Sequence, residues 1–218
     1  MTMETTTTEA QAQATLEAPP IAAIGVIGAG QMGSGIAHVC ALAGLAVTMI
    51  DVKPEALERA RGVIAKNLDR QVAKGAIPAE DKEAALARIR TGTDYALLAE
   101  ADLVIEAATE KEEIKKAIFR ALCPHLKPAC LIATNTSSIS ITGLAAATDR
   151  PAKFIGMHFM NPVPVMKLVE VIRGIATDDT TFQAIQALAA RLGKTTAVAE
   201  DFPAFIVNRI LVPMINEA

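Results

Sequence analysis

The stretch from Ile21 to Asp51 constrains this chain more than any other. Ile21-Ala22-Ala23-Ile24-Gly25-Val26-Ile27-Gly28 is a short apolar run rich in branched residues, the pattern of a buried parallel strand. It turns through Gly28-Ala29-Gly30-Gln31-Met32-Gly33 and continues from Ser34 to Gly44 in small, apolar residues, as a helix packed tightly on a sheet must. A second strand, Leu45 to Ile50, ends at Asp51. In such a strand–turn–helix–strand unit, Gly28 permits the tight turn, Gly30 lets backbone amides approach a pyrophosphate, and Gly33 allows the helix to sit close to the strand. The helix N-terminus adds unpaired N–H groups and a positive dipole end. An acid about 20 residues beyond the glycines accepts both ribose hydroxyls of an adenosine and repels a 2′-phosphate. The spacing therefore predicts a dinucleotide site of Gly28, Gly30, Gln31, Met32, Gly33 and Asp51, taking NAD ahead of NADP. A glycine-rich turn that holds no ligand is the alternative, but three glycines in register with an acid at that spacing argue against it.

At 218 residues the chain is long enough for a sizeable core. A net charge of −3 gives no electrostatic footprint for nucleic acid or an anionic membrane, and a chain with one Tyr and no Trp has little to stack on bases. No run approaches the about 18 apolar residues of a membrane span. Cys40, Cys123 and Cys130 are odd in number, lack CxxC spacing and sit in apolar settings, which points to buried free thiols in a reducing cytoplasm. Residues 1–20, rich in Thr, Ala, Gln and Glu without Lys or Arg, match neither a secretory nor a mitochondrial signal and are expected to be a disordered tail.

Beyond Asp51, apolar residues at Ala56, Leu57, Ala60, Val63, Ile64, Leu68 and Val72 follow a helical period from Pro54 to near Gly75. A second helix, Pro78 to Ile89, completes a hairpin whose basic residues Lys66, Arg70 and Lys74 either face solvent or meet an anionic group on a large substrate. Strands follow at 89–94 and 101–108. Glu110, Glu112 and Glu113 are expected on the first turn of a helix running to Leu122, where the dipole favours acids. Strand 130–134, the polar turn Asn135-Thr136-Ser137-Ser138, helix 142–147 and strand 153–159 continue the alternation. The predicted fold is α/β, a Rossmann-type, doubly wound, mostly parallel sheet over residues 21–201 with a helical-hairpin insertion. Runs 154–159 and 167–172 are joined by too few residues for a crossover helix, so they are expected to pair antiparallel, and a hairpin centred near Pro164 sets His158 opposite Glu170. Helix 180–192, strand 195–199 and an apolar helix starting at Pro203 close the chain.

His158 is the general-base candidate, because oxidising an alcohol requires its hydroxyl proton to leave and imidazole accepts protons near neutral pH. A carboxylate on the other ring nitrogen would fix the tautomer, and Glu170 suits that role. The alternative is a core histidine bonded to backbone, with Glu170 on a solvated face. Ser137 lies just past a strand's carboxyl end, where open α/β sheets place ligands, though a turn serine needs no such reason. Asn208 in an apolar helix bonds either a substrate or a neighbouring carbonyl. His38 and His125 have no adjacent acid and read as structural, and no cluster has metal spacing.

The segments GAGQMGSGIA, IEAATE, TNTSSISIT, GMHFMNPVPVMKLVEV and DFPAFIVNRILVPMINEA resemble the successive motifs of the 3-hydroxyacyl-CoA dehydrogenase family over essentially all of Ile21 to Ala218. The resemblance implies an NAD-dependent oxidoreductase interconverting an L-3-hydroxyacyl-CoA, expected to be short-chain 3-hydroxybutyryl-CoA, and its 3-oxoacyl-CoA. By that resemblance His158 is the base and Glu170 its partner, and Ser137 and Asn208 touch the substrate. Asp51, Glu110, Lys115, Ser137 and Asn161 line the NAD site, and Lys74 meets the CoA phosphates. Residues 202–218 then begin a helical C-terminal domain through which such proteins form homodimers, and the rest of that domain is expected to be missing. Ala204 stands where the family usually shows Gly, a change tolerable if its φ is negative. Two other readings remain: a dinucleotide-binding module without turnover because the C-terminal domain is absent, which would leave this chain inactive alone, and a related NAD-dependent dehydrogenase of a free hydroxy acid.

Overall fold

The structure, a computed structural model, describes residues 20–218; the expected tail lies almost wholly outside them. The chain runs β1 (Ala23–Ile27), α1 (Gln31–Leu42), β2 (Ala46–Ile50), α2 (Pro54–Ala73), α3 (Ala79–Ala87), β3 (Ile89–Gly92), β4 (Leu103–Glu106) and α4 (Glu112–Leu122). It continues as β5 (Leu131–Thr134), α5 (Ile141–Ala145), β6 (Phe154–Phe159), β7 (Leu168–Arg173), α6 (Asp179–Arg191), β8 (Thr195–Glu200) and α7 (Val207–Glu217). One sheet has the order β3-β2-β1-β4-β5-β6-β7-β8, parallel except where β6 meets β7. The chain winds outward from β1 to β3, then returns to β4 on the other side of β1. The carboxyl ends of β1 and β4 therefore diverge into a crevice, the place where such sheets bind ligands.

Residues alternate between the two faces, as strands covered on both sides require. Leu103 and Ile105 join Ile36, Cys40, Ile64, Leu68 and Ile185 under α1, α2 and α6. Val104 joins Phe119, Leu122, Ile141 and Phe154 under α4 and α5. The β6/β7 pairing has the expected register, with His158 opposite Glu170.

Four details differ from the sequence reading. Val63, assigned to the buried stripe of α2, is half exposed. α4 begins at Glu112 with Lys111 as its N-cap, so Glu110 lies outside the first turn and is free to reach elsewhere. α7 begins at Val207, not Pro203, after a turn in which Ala204 has φ +65° and Phe205 φ +50°. The condition under which Ala204 replaces the family's usual Gly without strain, a negative φ, is thus not met. The turn is strung between fixed points: Asp201 binds the start of α5, Phe205 is buried, and the Ile206 and Val207 amides are held by Glu170. A helix begun at Pro203 could not meet all three.

Candidate active site

At the mouth of the crevice the glycine turn has the shape its spacing implies. Gly28 has φ +100°, and a Cβ there would lie 2.6 Å from the Ala108 Cα. A Cβ on Gly33 would fall 1.8 Å from the Gly28 carbonyl oxygen, so α1 can approach β1 only with glycine here. A Cβ on Gly30 would meet nothing within 4 Å, and no side chain caps α1, leaving room and free amides for an anion. Gln31 is exposed on the first turn, whereas Met32 packs partly into the core. Asp51 Oδ2 accepts from the Ala29 amide at 2.8 Å and Oδ1 from Lys53 at 3.0 Å. A carboxylate has about four acceptor positions, so two remain for a ribose.

Beneath the crevice lies a buried polar cluster. Lys115 is fully enclosed; its Nζ donates to Glu106 Oε2 and, at 3.3 Å, to Thr134 Oγ1. Thr134 donates to the same Glu106 oxygen, while Glu106 Oε1 accepts from the Ala108 amide. Lys115 does not open on the crevice; it meets the site through Glu110, whose Oε2 lies 3.8 Å from its Nζ. Glu110 Oε1 in turn accepts from the Thr136 hydroxyl at 2.7 Å and the Ser137 amide at 2.6 Å. The acid expected to favour a helix dipole instead fixes the turn after β5.

The next links complete a connected chain. Asn208 Nδ2 donates to the Ser137 carbonyl at 3.3 Å. Glu170, fully buried, accepts from the Ile206 and Val207 amides on Oε1 at 2.9 and 2.8 Å, and its Oε2 lies 2.7 Å from His158 Nδ1. Because Glu170 is the acceptor toward all three partners, Nδ1 carries a proton, and in the neutral imidazole Nε2 is then the nitrogen with the lone pair. The buried Phe205 ring lies beside the imidazole, tilted by 59° with 6.2 Å between centroids. Asn161 is exposed just past β6, and Lys74 is exposed at the end of α2; neither bonds to the others. Lys74 borders a groove of about 330 Å³ shared with Asn67, Arg70, Pro162 and Val165. His38 is buried against Gln71, and burial, partly offset by that bond, lowers its pKa.

Sequence reasoning missed Asn135, whose Oδ1 accepts from the Phe159 amide and ties β6 to the β5 turn, and Asp201, which accepts from Ser140, Ile141 and Thr142 at the start of α5. A Ser140 followed by a short apolar helix marks an N-cap, but nothing local points to an acid so far along the chain.

The family model described as 3-hydroxyacyl-CoA dehydrogenase, NAD binding domain, matches residues 23–202. A 3-hydroxybutyryl-CoA dehydrogenase of Bradyrhizobium diazoefficiens is 62% identical over 195 residues, covering 89% of this chain and 67% of that protein. A 3-hydroxyadipyl-CoA dehydrogenase of Escherichia coli is 46% identical, covering 89% and 41%. The crystal structure of (S)-3-hydroxybutyryl-CoA dehydrogenase from Ralstonia eutropha superposes with a TM-score of 0.89 at 49% identity, over 91% of this chain and 70% of that one. The glycine turn, the crevice and these relatives agree: the chain belongs to the 3-hydroxyacyl-CoA dehydrogenase family and carries its NAD-binding domain.

Proposed function

We propose that this chain interconverts an L-3-hydroxyacyl-CoA and the corresponding 3-oxoacyl-CoA, with 3-hydroxybutyryl-CoA as the substrate. The observation that carries the reading is the His158–Glu170 pair at 2.7 Å, near the carboxyl end of β6. A module that only held a dinucleotide would have no use for it. The turn fits NAD, since Gly30 leaves the approach open and Asp51 keeps acceptor positions free. When bound, NAD supplies the acceptor for the hydride leaving C3. His158 Nε2 takes the hydroxyl proton, and Glu170 stabilises the imidazolium that results. We assign Ser137 and Asn208 to the substrate, Glu110 and Asn161 to the cofactor side, and Lys74 with Arg70 to the CoA phosphates along the groove beside Pro162.

The same reading makes residues 202–218 the start of a helical domain and the protein a homodimer. α7 supports this, with Ile210, Leu211, Met214 and Ile215 all exposed. A cytoplasmic setting accords with three free cysteines. Among the described residues no helix is long and apolar enough to cross a membrane.

The test follows NADH consumption. Acetoacetyl-CoA should be reduced and acetoacetate should not, which separates this reading from a free-acid dehydrogenase. His158→Ala should lower turnover by about 10²- to 10⁴-fold with NADH affinity nearly intact. An unchanged rate in that variant removes the assignment.

A further inference from the structure

The segment between β6 and β7 borders two sites at once. The Val163 side chain is buried against α1, where a Cβ on Gly35 would come within 2.8 Å of it, so one face of the segment is seated on the cofactor-binding helix. The other face, Pro162, Pro164 and Val165, walls the groove that also holds Arg70 and Lys74. Val165 is 73% exposed at its tip. Internal bonds alone hold the turn weakly: the Val165 and Met166 amides both donate to the Pro162 carbonyl, at 3.0 and 2.9 Å. The remaining hold comes from outside. Lys194, in the turn between α6 and β8, donates from Nζ to the Val163 carbonyl at 2.6 Å and to the Met166 carbonyl at 2.8 Å. These two carbonyls bracket Pro164-Val165. The Thr195 amide donates to the Lys167 carbonyl at 2.8 Å, placing the lysine's own backbone beside the segment. An ammonium spanning two carbonyls makes two charge-assisted bonds, and a neutral side chain would leave both acceptors unmet.

We propose that Lys194 is a positioning residue that clamps the Pro162–Met166 turn in the shape that receives acyl-CoA, acting through the groove wall without touching the reacting atoms. The proposal rests on the acyl-CoA reading above. Two readouts in the full chain separate the two ideas: hydrogen exchange at the Val165 and Met166 amides without ligand, and dissociation constants for acetoacetyl-CoA and NADH. Lys194→Met should speed that exchange and raise the acetoacetyl-CoA Kd, each by about tenfold, with the NADH Kd changed less than about twofold. Lys194→Arg, which keeps charged donors, should recover most of the loss. If Lys194→Met does not fold, Lys194→Gln, too short to reach both carbonyls, gives the same comparison. Unaltered exchange overturns the clamp whatever the substrate. Faster exchange with both ligands weakened equally, or with neither weakened, overturns the role in acyl-CoA binding. Failure of the unaltered chain to bind acetoacetyl-CoA overturns the substrate reading and the ligand half of this proposal, while exchange still decides the clamp.

Discussion

Replacing Glu170 by Gln keeps the size of the side chain and changes only what its two terminal atoms can do. Oε1 now accepts from the Ile206 and Val207 amides, and Oε2 accepts from His158 Nδ1. In Glu170→Gln the amide oxygen must stay with the two N–H donors, since the reversed orientation sets an NH₂ against them. The NH₂ therefore faces His158, and the imidazole answers with a lone pair on Nδ1 and its proton on Nε2. A histidine in that state cannot accept a proton from a substrate hydroxyl at Nε2. The loss should approach that of a general base removed outright, about 10²- to 10⁴-fold in turnover. Stability should change far less. All three hydrogen bonds survive in neutral form, each weaker by about 1 kcal/mol, and the smaller cost of burying an amide offsets part of this. A net loss of about 1–3 kcal/mol corresponds to a fall in Tm of about 2–12 °C for a chain this long. Turnover is followed as NADH loss with acetoacetyl-CoA, and the tautomer by ¹⁵N NMR of His158. An Nε2 that stays unprotonated in the variant, with turnover within threefold of the parent, would refute the reasoning.

Ala204→Gly should stabilise the chain, because relief of a left-handed alanine, about 1–2 kcal/mol, exceeds the about 0.4–1 kcal/mol of added unfolded-state freedom; Tm should rise by about 1–3 °C, and a fall would contradict the strain at φ +65°. Burial works against the charge on Asp201, but the Thr142 and Ile141 amides and the Thr142 and Ser140 hydroxyls outweigh it and hold its carboxyl below the ordinary 3.8. Its contribution is therefore complete above about pH 4–5 and lost as pH falls through the depressed pKa, so the stability gap between the parent and Asp201→Asn should narrow with acidification; a gap that widens would reverse the assignment. Asp51 would set its carboxylate against a 2′-phosphate, so NADH should bind at least tenfold more tightly than NADPH, and equal Kd values would discard that role. Burial pushes the Cys40 and Cys130 thiols up to about 12, so neither should react with a thiol reagent at about pH 8 until the chain unfolds; rapid labelling of either in the native protein would contradict their burial.

Much of the fold was legible because its signals are local. Gly28, Gly30 and Gly33 lie within one turn, the branched runs of β1, β4 and β5 mark strands buried on both faces, and a hairpin too short for a helix fixed the antiparallel register that sets His158 against Glu170. What stayed hidden was the second task of nearly every polar residue at the site. Glu110 looked like a helix-capping acid until α4 began two residues later and released it to hold Ser137. Glu170 looked like a partner for one histidine, yet it also anchors the start of α7, and Asp201 does the same for α5. Ala204 acquires its positive φ only because the turn around it is fixed at both ends by those two acids. These bonds join side chains to backbone groups between 27 and 60 residues away. Hydrophobic periodicity and glycine spacing are properties of neighbouring residues and are therefore written along the chain. Which amide a buried carboxylate finds is decided by the order in which strands assemble in the sheet, because a charge removed from water must take the donors that tertiary packing brings to it.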